Sequence, residues 1–146
     1  MQIDTRSVEF GSHLGTLDLS SSKSELNRAL ILQALYPTIS ISGHSAADDV
    51  VAMQQALAKQ EGEIDCHHAG TALRFLTAYF ASREGVSVVL KGSTRLHERP
   101  IAPLVSALQK LGASITYLEK EGFPPLQIAG KKLTNKSVAI SAAQSS

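Results

Sequence analysis

Tryptophan is absent from this 146-residue sequence, cysteine occurs once, and aromatic residues make up only 5%. The core must therefore be built from Leu, Ile, Val and Ala. The lone cysteine, Cys66, excludes an internal disulfide framework and fits a reducing compartment. Excess charge is missing too: 14 Lys plus Arg face 13 Asp plus Glu, a net charge of +1. Generic binding to nucleic acid or to a membrane surface needs a basic surplus, so neither is an expected partner. Apolar runs such as Ala29 to Leu32 are far too short to cross a bilayer. Met1 to Phe10 carries Asp4, Arg6 and Glu9 and has no apolar stretch of the secretory type, so a cytoplasmic location is expected. Neither a Gly-x-x-x-x-Gly-Lys phosphate loop nor a Gly-x-Gly-x-x-Gly fingerprint occurs.

What is present is globular: 43% hydrophobic and 18% charged residues, far from the disordered range. Short strands are expected around Gln2–Ile3, Val8–Phe10 and Leu17–Leu19. The spacing then predicts a helix from Ser24 to Tyr36, ended by Pro37 and apolar over Ala29–Leu35 except at Gln33. That composition predicts burial on nearly all sides. Thr38–Ser42 alternates like a strand. Asp48 or Asp49 would cap a helix running to about Lys59, with Val50, Met53 and Leu57 on its inner face. A strand over Ile64–His67, a helix over Thr71–Ser82 and a strand over Val86–Lys91 follow. Pro100 would open a helix whose apolar spacing runs to Leu111, with Gly112 just past its end. Strands at Ser114–Leu118, Leu126–Ile128 and Ser137–Ile140 finish the chain. Strands and helices alternate, so the fold class is α/β. Ending on Ser145-Ser146 directly after a strand, with no closing helix, the chain looks truncated.

Basic residues gather at three predicted helix starts. Ser22-Lys23-Ser24-Glu25-Leu26-Asn27-Arg28 places Ser24 and Arg28 four apart on one face, with Lys23 at the positive end of the helix. His68-Ala69-Gly70-Thr71-Ala72-Leu73-Arg74 combines a glycine that admits close approach, a threonine suited to capping, and Arg74 one turn on. Arg95-Leu96-His97-Glu98-Arg99-Pro100-Ile101 sets two arginines before a proline-initiated helix, with Glu98 able to orient one of them. Each string alone equally fits a capped helix start with solvated charges. Together they describe several cationic helix beginnings in one α/β architecture, where ligands bind beside helix N-termini at strand ends. A substrate with two anionic groups suits such a pocket. Cys66-His67-His68 makes a poor metal site, because neighbours on a strand point to opposite faces. Asp48-Asp49 suits a helix cap better than a catalytic carboxylate pair.

The strings Ser-Lys-Ser-x-x-Asn-Arg at 22–28, Ala-Gly-Thr-Ala-Leu-Arg at 69–74 and Glu-Arg-Pro-Ile at 98–101 occur in this order, the last continuing into Pro103-Leu104-Val105 and Leu111-Gly112-Ala113. In this the chain, from about Leu17 to Ser146, resembles the 5-enolpyruvylshikimate-3-phosphate synthases. The resemblance implies repeated βαβαββ units. Residues 1–15 would be a lead-in pairing with a missing second domain, and 16–146 about two units of an incomplete first domain. It implies transfer of an enolpyruvyl group from phosphoenolpyruvate to the 5-hydroxyl of shikimate 3-phosphate, with release of phosphate and no metal or organic cofactor. Lys23 would then contact phosphoenolpyruvate, and Ser24 and Arg28 would hold shikimate 3-phosphate. Gly70 would offer its backbone to phosphoenolpyruvate and Arg99 would bind its anionic groups. Thr71, Arg74 and Arg95 belong to the same segments. Ser145 and Ser146 fall where the family has a Ser-Ser-Gln phosphate loop. The proton-transferring carboxylate and lysine of the family lie in the second domain, so the chain alone is expected to be inactive. The full-length enzyme would be a monomer, while the isolated chain, with apolar faces uncovered, is prone to self-association. Two departures stand out: His68 replaces the usual Asn, and Ser21-Ser22 the usual Pro-Gly. The related UDP-N-acetylglucosamine enolpyruvyl transferases and a non-catalytic anion-binding module are the alternative readings.

Overall fold

The computed structural model describes residues 21–134 and 136–140. The expected strands before Ser21 and the serines Ser145 and Ser146 lie outside the described residues. Five helices and four strands follow in the order α1 Lys23–Leu35, α2 Asp48–Leu57, β1 Glu61–Asp65, α3 Gly70–Ala81, β2 Ser87–Lys91, α4 Thr94–His97, α5 Ala102–Lys110, β3 Ser114–Tyr117 and β4 Leu126–Ala129. From β1 onward, leaving aside the single turn of α4, the run is βαβαββ.

The sheet has the order β1-β2-β4-β3. β1 and β2 are parallel, with Glu61 opposite Ser87 and Asp65 opposite Lys91. β4 runs antiparallel to both β2 and β3. Parallel neighbours need a crossover, and α3 supplies it. Alternation along the strands buries Ile64, Val88, Leu90, Ile115, Leu126 and Ile128 against the helices. On the other face, Lys91 pairs with Glu63. α3 meets this core with Leu73, Leu76 and Phe80, which recur at helical spacing and are at most 1% exposed. Among the described residues no helix is long and apolar enough to cross a membrane.

Several expectations are corrected. α1 is not buried all round: only Leu26 and Asn27 are buried, while Leu32 and Leu35 are 48% and 41% exposed. It packs on α2 and α3 from one side, so its outer apolar residues meet no partner among the described residues. Arg83, at the end of α3, ties the two helices by donating to the carbonyl of Ala34 while lying over the Tyr79 ring. Thr38–Ser42 and the described part of 137–140 form no strand, because an alternating pattern needs a neighbouring ladder and neither stretch has one. The first strand ends at Asp65 rather than His67, since His67 takes a positive φ of 48° and its N–H turns to Asp65 Oδ1 at 2.7 Å. Neither Asp48 nor Thr71 caps a helix. The cap residues are Ala47 and Ala69, without side-chain cap bonds, and both aspartates sit inside the first turn of α2, where they complement its dipole. Pro100 precedes its helix: α5 starts at Ala102, with Ile101 as cap and Pro103 in the first turn.

Candidate functional site

The parallel strands β1 and β2 end side by side, and the chain leaves both into loops joined to each other. Cys66 N donates to Lys91 O at 2.8 Å and Ser93 N to His67 O at 2.8 Å. Ser93 also caps the short α4, its hydroxyl accepting from Leu96 N at 3.3 Å, and its Oγ lies 2.8 Å from His68 Nδ1. Gly92 N donates to His97 Nε2 at 3.2 Å, seating α4 on the end of β2. One loop delivers Gly70 at the first position of α3; the other delivers Arg99.

The two meet at Gly70. A Cβ placed there would lie 2.9 Å from Arg99 Nη1 and 3.2 Å from Arg74 Nη1. Arg74 is fixed by two carbonyls, donating from Nη1 to Gly70 O and from Nη2 to Pro100 O, each at 3.1 Å. Burial and the positive charge of Arg99 push the Arg74 guanidinium below its ordinary pKa, in that order of importance. Two cations thus crowd the positive end of a twelve-residue helix. Gly70 N is already spent on His68 O at 3.0 Å, but the N–H groups of Thr71 and Ala72 have no acceptor among the described residues. The backbone donors left free at this helix start, among the described residues, are therefore those of Thr71 and Ala72, and Gly70 presents its bare Cα face. No ion pair among the described residues joins Glu98 to Arg95 or Arg99, and Arg95 is exposed on α4.

The start of α1 forms a second group. Arg28 Nη2 donates to Ser24 Oγ at 3.1 Å, the contact expected of residues four apart. Lys23 Nζ lies 3.2 Å from Asp49 Oδ2, with the lysine side chain 62% exposed. Pairs this exposed contribute about 0–1 kcal/mol. Asp49→Asn is therefore expected to change stability by less than about 1 kcal/mol in urea titration. A larger loss would mean that Asp49 stabilises the fold by more than its exposed pair with Lys23 and its place at the positive end of α2.

A cleft of about 430 Å³ separates α2 from the 66–69 loop, with Asp48, Asp49 and Gln55 on one side and His67, His68 and Ala69 on the other. Through Asp49 it reaches the start of α1, and through Ala69 the start of α3. No hydrogen bond or ion pair among the described residues joins Lys23, Ser24 or Arg28 to the Arg74–Arg99 pair; the cleft is what the two groups share. Cys66 also lines it, but burial, with Asp65 second, pushes its thiol up to about 12. The thiolate is the reactive form, so native Cys66 is expected to resist alkylation at pH 8 and to react once unfolded. Its raised folded value also means that stability falls as pH rises from about 9 toward 12, where only the unfolded thiol ionises.

Sequence reasoning missed Ser93 and the lysine-pairing role of Asp49. The Gly92-Ser93 pair directly after a strand was the available signal for the first.

Known proteins are similar to this chain in sequence and in fold. A 3-phosphoshikimate 1-carboxyvinyltransferase of Bacteroides fragilis is 45% identical over 126 residues, covering 86% of this chain and 30% of the relative. One from Vibrio campbellii is 38% identical, covering 90% and 37%. The chain thus spans about a third of the length of these relatives. In fold it is similar to a solved EPSP synthase from Acinetobacter baumannii, with a TM-score of 0.72 at 18% identity over 90% of this chain and 36% of that one. Residues 40–146 match the family model described as EPSP synthase (3-phosphoshikimate 1-carboxyvinyltransferase), and the chain belongs to that family.

Proposed function

We propose that this chain supplies the phosphoenolpyruvate-binding wall, and part of the shikimate 3-phosphate-binding wall, of a cytoplasmic 3-phosphoshikimate 1-carboxyvinyltransferase of aromatic amino acid biosynthesis. The observation that carries the reading is the meeting of Arg74 and Arg99 over Gly70 at the start of α3. Like charges held this close repel unless an anion separates them, and a phosphate or carboxylate there gains both guanidiniums and the free N–H groups of Thr71 and Ala72. Lys23, released from its exposed pair with Asp49, would swing to the same ligand, while Ser24 and Arg28 would hold shikimate 3-phosphate. As phosphate departs, Lys23 and Arg99 stabilise the charge that develops on it. Protonation of the methylene carbon and deprotonation of the 5-hydroxyl fall to groups outside this chain, so the chain alone turns over no substrate. Residues 1–15 as a lead-in, Ser145 and Ser146 as phosphate ligands, a monomeric full-length enzyme and sensitivity to glyphosate belong to the same reading.

Titrating the chain with phosphoenolpyruvate while following its backbone amides tests the reading. Binding is expected at about millimolar strength, the level of a half-built site, with Gly70, Thr71 and Ala72 shifting first. Amides that stay still up to tens of millimolar ligand would remove the pocket at α3.

A further inference from the structure

Beside this pocket stands an imidazole whose two nitrogens are differently engaged. His68 Nδ1 lies 2.8 Å from Ser93 Oγ. That hydroxyl already accepts from Leu96 N. Its single proton is available to His68 Nδ1, and in that arrangement the ring proton stands on Nε2; the second lone pair of the hydroxyl equally admits a proton on Nδ1, so the tautomer is part of the proposal. Nε2 has no partner among the described residues, and His68 is exposed on the wall of the cleft. The residue cannot drift away from the pocket, since Gly70 N donates to its carbonyl at 3.0 Å and Ser93 N to the carbonyl before it at 2.8 Å. Across the cleft are Asp48 and Asp49, the latter already engaged by Lys23.

We propose that His68 is a ligand-contacting residue, its Nε2–H donating to an oxygen of the anion held at the start of α3, with Ser93 as the positioning residue that fixes the tautomer. The inference rests on the phosphoenolpyruvate reading of the pocket. It also accounts for histidine where the family usually has asparagine, because a carboxamide NH₂ and an imidazole Nε2–H are both neutral donors on a short stem.

The test uses the isotope-labelled chain and phosphoenolpyruvate, reading imidazole nitrogens by long-range proton–nitrogen correlation. The free chain is expected to show the Nε2–H tautomer of His68, and ligand is expected to shift the Nε2 resonance. His68→Ala should weaken binding about tenfold, the scale of one hydrogen bond to a charged acceptor. His68→Asn should recover most of that loss. Ser93→Ala should yield mixed tautomers and an intermediate affinity. An Nδ1–H tautomer, or an Nε2 resonance that stays still while Thr71 and Ala72 shift, overturns the role of His68 and leaves the pocket standing. If neither the imidazole nor those amides move, the pocket and the inference fall together.

Discussion

In a full-length 3-phosphoshikimate 1-carboxyvinyltransferase carrying this segment, Arg99→Ala is expected to lower kcat/KM by about 10²–10³, the scale of one lost donor to a developing anion. The melting temperature should barely move. Arg99 is exposed, its side chain makes no hydrogen bond or ion pair among the described residues, and its truncation leaves the core at Leu73, Leu76 and Phe80 untouched. Its removal also relieves the positive charge that depresses Arg74, so stability changes by no more than about 0.5 kcal/mol. Arg74→Ala provides the contrast. Arg74 holds the carbonyls of Gly70 and Pro100 and thereby fixes the Arg99 loop to α3. Its loss should cost both binding and stability, by roughly 1 kcal/mol for each bond given up. Kinetics and thermal melts of the two variants separate a ligand residue from a scaffold residue. Near-normal turnover in Arg99→Ala would strike Arg99 from the site.

The difference between these two arginines was only partly legible in the sequence. Gly70 and Arg74 stand four apart, so helical spacing alone puts them on one face. Arg99 arrives from the next loop, and only the parallel pairing of β1 with β2 brings that loop alongside. The helix-start pattern could nominate Arg99; it could not say that its guanidinium would cover Gly70. α3, β2 and α5 were readable because their apolar residues keep a period that the core rewards. α1 misled because apolar composition records what a helix could bury, whereas exposure depends on which neighbours arrive. Leu32 and Leu35 have neighbours on one side only. Thr38–Ser42 failed as a strand for a related reason: alternation is a property of a segment, but a ladder needs two. The gathering of Lys23 with Arg99 around one guest was also expected, and here Lys23 rests on Asp49 instead. A surface ion pair of about 0–1 kcal/mol is easily exchanged for a multiply charged ligand, so that resting partner is compatible with a role in binding.

Two glycines, Gly70 and Gly130, should answer the same substitution in opposite ways. At Gly70 the atoms a methyl would strike first are guanidinium nitrogens, at 2.9 Å from Arg99 and 3.2 Å from Arg74. These are the far ends of flexible side chains, the backbone there is not left-handed, and alanine favours a helix over glycine by up to about 1 kcal/mol. Gly70→Ala should therefore fold as well as the parent while pushing both cations off the anion position. Affinity for phosphoenolpyruvate and for phosphonate mimics such as glyphosate is expected to fall at least tenfold, the equivalent of about 1.4 kcal/mol. At Gly130 the obstruction is backbone: a Cβ would lie 2.7 Å from Phe80 O and 2.8 Å from the Arg83 carbonyl carbon, with Arg83 O closer still. That carbonyl group is held in place just past α3, where it accepts from Val86 N as the chain turns toward β2. Relief would need β4 and α3 to separate, which overpacking studies put at about 1–3 kcal/mol or more. Gly130→Ala should thus lose stability in denaturant titration, yet bind ligand normally in whatever fraction remains folded. If Gly70→Ala instead loses stability and keeps its affinity, the two guanidiniums are scaffold, and the anion pocket must be sought elsewhere along the cleft.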